Sequence, residues 1–108
     1  MSTIEQIKIF KRSADLIYLS KDFTSATILY FKTLFAIQDY ILLQKIGYSP
    51  KDHNERFRLL EKEFPKEYNI LDLEFNTYRN TYSTQISKET CNRIKEIIEN
   101  EIRNHKIE

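Results

Sequence analysis

The stretch Asp22–Gly47, DFTSATILYFKTLFAIQDYILLQKIG, decides the fold. It contains no proline and no internal glycine, so nothing in it breaks a helix. Asp22 suits the N-cap, and Gly47 suits the stop beyond the last turn. At about 1.5 Å per residue, residues 22–46 form a helix about 37 Å long, enough to cross a bilayer. Lys32, Gln38, Asp39 and Gln44 interrupt it, however, and its unbroken apolar runs are only four residues long. Apolar side chains cover most of its circumference, while Ser25, Lys32 and Asp39 recur every seven residues along a narrow polar line. Such a helix belongs at the centre of a bundle, in contact with several neighbours. The pattern predicts no membrane span, and part of the apolar surplus is available for a dimer interface.

Outward from this segment the chain reads as four further helices. Upstream, residues 3–19 carry Ile7, Phe10, Ala14 and Ile17 at steps of 3, 4 and 3, one face of a 3.6-residue period. Downstream, Ser49-Pro50 is read as N-cap and first helical residue, with Asp52 in the capping-box position. His53, Phe57, Leu60 and Phe64 form the stripe of this third segment, and Pro65 ends it. The fourth segment, from about Lys66 to Ser83, repeats the spacing with Leu71, Phe75, Tyr78 and Tyr82. The fifth begins at the cap Ser87 and buries Cys91, Ile94, Ile98 and Ile102. The short connections predict antiparallel neighbours: an all-α, up-and-down bundle of four to five helices in one domain spanning 1–108.

Composition agrees. One glycine and two prolines in 108 residues are too few for the turns of a sheet protein. Charged residues make up 31% and the net charge is +1, so the chain is not an overt polycation for nucleic acid or anionic lipid. A basic patch assembled by folding is compatible with that balance. A single cysteine, Cys91, excludes an internal disulfide and any multi-cysteine metal site. The N-terminal MSTIEQIKIFKR lacks the apolar core of a secretory signal, which predicts a cytoplasmic protein.

Linear patterns for chemistry are sparse. No glycine-rich phosphate loop, HExxH pair or legible nucleophile triad occurs, and neither metal nor cofactor is expected. The best polar constellation is the run NTYRNTYST, with Asn76, Arg79, Asn80, Tyr82 and Ser83 as candidate binding residues. Asn76, Arg79 and Ser83 share one face of a helix. A guanidinium there grips phosphate with two parallel hydrogen bonds, and a tyrosine stacks on a base. The plainer reading makes Arg79 a surface arginine and Tyr78 and Tyr82 core aromatics. His53, in the first turn of its helix, is either a satisfied stripe residue or a ligand. His105, in a last turn, reads as a frayed surface histidine where a cation suits the helix dipole.

The order of three features resembles the HEPN family across nearly the whole chain: the aromatic-rich helix 22–46, the Lys51-Asp52-His53 start of the next helix, and Arg79 within YRNTYS. The resemblance implies a helical bundle that dimerises through its motif-bearing helices. It also implies a two-component toxin–antitoxin or defence role beside a minimal nucleotidyltransferase. Catalytic members are metal-independent ribonucleases in which a histidine follows the motif arginine after a short spacer. Here Thr84, Gln85 and Ile86 occupy that region, so the histidine is missing. Without the imidazole no group is evident to shuttle the 2′-hydroxyl proton near neutral pH. The expectation is a non-catalytic binding module holding nucleotide or RNA phosphate through Arg79. The alternative is a ribonuclease using a different proton carrier, with Arg79 stabilising the phosphorane and Tyr82 or His53 recruited by folding.

Overall fold

Side-chain caps set four of the five helix starts in the computed structural model, which describes residues 3–107. The helices are α1 (Ile4–Leu19), α2 (Phe23–Ile46), α3 (His53–Glu63), α4 (Pro65–Asn80) and α5 (Lys88–Asn104). Thr3, Asp22, Asp52 and Ser87 each accept a hydrogen bond from the backbone N–H three residues on, satisfying a donor the helix itself leaves free. For α4 the start is Pro65, whose missing N–H costs nothing at that position. At the far end of α2, Gly47 adopts the left-handed conformation (φ 86°) and returns its N–H to the Leu43 carbonyl. The long helix therefore stops where the sequence predicts.

Two boundaries differ from expectation. The third helix begins at His53 rather than at Pro50, because Asp52 caps Glu55 while the Glu55 carboxylate accepts from the Lys51 N–H at 2.9 Å. The fourth ends at Asn80, short of Ser83. There the Thr81 hydroxyl donates to the Tyr78 carbonyl, and the N–H groups of Ser83 and Thr84 both converge on the Asn80 carbonyl. This turn lifts Tyr82 off the apolar stripe and leaves it 72% exposed, so it is not a core aromatic.

The helices form a bundle around α2, whose backbone packs against all four others; α3 and α4 also pack on each other. Tyr30, Phe31, Leu34 and Leu42 of α2 meet Leu60, Leu71, Ile94 and Ile98 in the main core. A smaller cluster joins Ile7, Ala36, Ile37 and Ile107. By length and composition α2 could cross a membrane, yet 67% of its most apolar window is buried inside the bundle, as a core helix requires.

Side-chain partners give the directions. Glu67–His105 and Glu74–Arg93 run in opposite order along α4 and α5, as do Lys11–Glu99 and Tyr18–Asn92 along α1 and α5. These pairs are antiparallel. Along α2 and α3, by contrast, Phe35–His53, Asp39–Arg56 and Lys45–Glu63 advance together. Residues 47–52 thus carry the chain back along α2 before α3 starts. This placement brings His53 beside the middle of α2 rather than to its end.

Candidate functional site

The C-terminal end of α4 carries the predicted polar residues. Arg79 and Asn76 lie one turn apart, and the Arg79 Nη2 donates to the Asn76 Oδ1 at 3.2 Å. The Arg79 guanidinium lies 5.9 Å from the Phe75 ring centroid, so an aromatic face supports its stem side. Both residues are exposed, and Arg79 has no acidic partner among the described residues. Tyr82 lies just past the helix end, its hydroxyl 2.7 Å from that of Tyr78. Burial and that hydrogen bond push the Tyr78 phenol up to about 12. Asn80 and Ser83 are exposed, but no side-chain hydrogen bond ties either to Arg79 or Tyr82 among the described residues.

His53 joins this end from behind. Its ring packs edge-on against Phe35 (4.8 Å), Phe75 (5.3 Å) and Tyr78 (5.7 Å). Its Nδ1 is 2.6 Å from the Arg56 guanidinium, whose Nε and Nη2 in turn grip both oxygens of Asp39 at 2.7 and 2.9 Å. Arg56 is only 8% exposed and stacks over Phe35 at 5.0 Å. Burial, and then the nearby Arg56 charge, hold His53 below the ordinary histidine value of 6.5, which favours the neutral ring. Asp39–Arg56–His53 is therefore a structural triad under the patch, with its imidazole nitrogen committed to arginine. Three cavities occur elsewhere: between α1 and α5, beside Phe64 and His105, and near Lys32 and Asp39. Arg79, Asn76 and Tyr82 line none of these three. Their surface is an open one.

A second polar cluster, at the opposite end of α4, was not anticipated. Glu67 and Glu101 are 5% and 3% exposed, and His105 packs between them. The His105 Nε2 lies 3.1 Å from the Glu67 Oε2 and 3.5 Å from the Glu101 Oε1. His105 is thus half-buried and engaged, not a frayed surface residue. Gln38, fully buried on α2, brings its Nε2 to 3.4 Å from the Glu67 carbonyl and 3.5 Å from its Oε1. Burial first, and then a hydrogen bond to Glu67 and its negative charge, push Glu101 up to about 9, so it carries a proton at neutral pH. The signal was in the spacing: Cys91, Ile94, Ile98, Glu101 and His105 step by 3, 4, 3 and 4, so both polar residues continue the buried stripe of α5. Glu67, Leu71 and Glu74 do the same on α4.

Cys91 is buried, and its burial raises the thiol above its ordinary value, which keeps it protonated and unreactive. No family model matches the chain, and neither curated proteins nor solved structures yield a match.

Proposed function

We propose that this chain is a non-catalytic binding module of the HEPN type, which engages the phosphate of a nucleotide or RNA through Arg79. One observation carries the reading: Arg79 is an exposed guanidinium held by Asn76, without an acidic partner among the described residues, and the exposed Tyr82 follows three residues on. A guanidinium so presented offers parallel donors to phosphate oxygens, and the neighbouring phenol ring offers a stacking face for a base. Nothing adjacent supplies the proton transfer that strand cleavage needs. The motif histidine is absent, and the nearest imidazole, His53, is wedged among aromatic rings with Nδ1 against Arg56.

The module is proposed to act as a homodimer and as the partner of a minimal nucleotidyltransferase. Leu73 supports a protein contact here, since it is exposed at 77% and falls three residues before Asn76, on the same helical face as Asn76 and Asn80. A second copy or a partner enzyme would bury it.

The test is fluorescence anisotropy with labelled single-stranded RNA, run beside Arg79→Ala. Wild type is expected to bind in a salt-dependent manner, and Arg79→Ala to bind about 10-fold or more weakly, the scale of a charge-assisted hydrogen-bond pair. Equal binding by both proteins overturns the assignment to Arg79. Cleavage of the RNA by wild type that vanishes in Arg79→Ala replaces the binding module with a ribonuclease.

A further inference from the structure

The cluster at the N-terminal end of α4 has a geometry that goes beyond the Arg79 reading and does not depend on it. Glu67, Glu101 and His105 each offer one ligand atom, and these three atoms all lie within 4.8 Å of one another. Two ligands held about 2.1 Å from one tetrahedral ion stand about 3.4 Å apart. The His105 Nε2 sits 3.1 Å from the Glu67 Oε2 and 3.5 Å from the Glu101 Oε1, which brackets that spacing. We propose that Glu67, Glu101 and His105 bind one divalent first-row metal ion between the start of α4 and the end of α5.

One further observation points to a ligand. The Glu101 Oε1 is buried, has no hydrogen-bond partner among the described residues, and faces the His105 ring. Native interiors rarely leave such oxygens unsatisfied, and a cation answers an orphaned carboxylate oxygen directly. The donor set is two carboxylate oxygens and one imidazole nitrogen, which suits zinc or manganese and excludes a soft thiolate-seeking ion. Binding would displace the proton that Glu101 holds in the metal-free chain, and the two carboxylates then match the charge of a divalent ion. The ion would sit at the C-terminal end of α5, where the free carbonyls favour positive charge.

Access and an open coordination position are both provided. A cavity of about 420 Å³ reaches His105 and Glu67, and its wall is completed by Glu63, Phe64, Pro65 and Lys66. The local fold positions the ligands firmly. After α5, Lys106 turns left-handed (φ 55°), the Ile107 N–H returns to the Ile102 carbonyl, and the buried Ile107 pins the end against the second core cluster. The metal would fasten α4 to α5, two helices whose backbones do not pack on each other and which meet through polar side chains.

The experiment uses the full chain, stripped with chelator and exchanged into metal-free buffer. Zn2+ is titrated by calorimetry, thermal unfolding is followed with and without Zn2+, and Co2+ serves as a coloured substitute. The expected result is one ion per chain, a raised midpoint of unfolding and tetrahedral Co2+ absorption. Glu101→Gln and His105→Ala, each verified as helical by circular dichroism, are expected to bind at least about 100-fold more weakly, beyond the 10–100-fold that mere supporting residues cost. Glu101→Gln keeps the shape of the side chain, so its loss of binding with an intact fold separates ligation from packing. Absence of heat, midpoint shift and colour in folded wild type overturns the site and leaves a proton-linked carboxyl pair. So does Zn2+ binding that survives both substitutions.

Discussion

At its N-terminal end α4 buries Glu67 against Glu101 and His105 of α5, while at its C-terminal end it carries Asn76 and Arg79 into solvent. Behind the exposed end a second arginine, Arg56, is buried and gripped by both oxygens of Asp39. Arginine therefore serves opposite purposes on α3 and on α4. A buried charge must be neutralised by a partner, a proton or a metal, and that requirement ties helices together. An exposed arginine spends nothing on the fold and remains available to a ligand. Burial, more than residue type, separates the polar groups that tie this fold together from those left free in solvent.

The strongest way to break this contrast is to orphan the buried arginine. Asp39→Ala is expected to cost about 3–5 kcal/mol by leaving Arg56 charged and unpaired, read as a lowered denaturation midpoint in urea. A loss below about 1 kcal/mol would mean that water reaches Arg56 and that the two arginines are alike.

The carboxyl pair gives a pH test in metal-free protein. Glu101 is raised from 4.5 to about 9 in the folded chain, so between those limits the native state holds a proton that the unfolded state releases. Stability should therefore fall as pH rises through that window, with the slope of one proton bound by the folded chain alone. Glu101→Gln is expected to flatten this slope and to be the more stable protein at pH 8.5. The sign is opposite for His53. Its folded value lies below 6.5, so the unfolded state binds the extra proton and stability falls as pH drops below about 6.5. Thermal unfolding across pH 5–9 reads both limbs.

Smaller still is the cap that fixes where α3 begins and hence where His53 meets Tyr78. Asp52→Ala removes the bond to the Glu55 N–H and should cost about 1 kcal/mol. At the bottom of the scale, Arg79→Ala is expected to change stability by no more than about 0.5 kcal/mol, the usual range for an exposed side chain. If Arg79→Ala instead unfolds the protein, the exposed end of α4 is structural and the contrast collapses.

Much of the fold was legible because it rests on local rules. The apolar circumference of residues 22–46 announced a central helix, and Asp22 and Gly47 marked its ends. Ser87 and Asp22 could be read as caps because a short polar side chain before an apolar period has few other roles. Ser49-Pro50 misled, since Asp52 caps the helix three residues on while Glu55 accepts from the Lys51 N–H. The polar candidates were legible in part. Asn76 and Arg79 meet as helical spacing requires, yet Tyr82 escaped its stripe because Thr81 ends the helix early.

The sequence by itself determined five helical segments, the central place of α2, the buried thiol of Cys91 and the absence of the motif histidine after Arg79. These follow from periodicity and residue identity within single segments. Only the tertiary structure decided that α3 runs alongside α2 in the same sense, that Arg56 is paired with Asp39, and that Glu67, Glu101 and His105 come together. Those outcomes depend on which faces of separate helices come together. A 3–4 stripe tells that Glu101 and His105 point inward, but not what they find there. The partner lies tens of residues away in the chain, and only packing around α2 brings it within a hydrogen bond's reach.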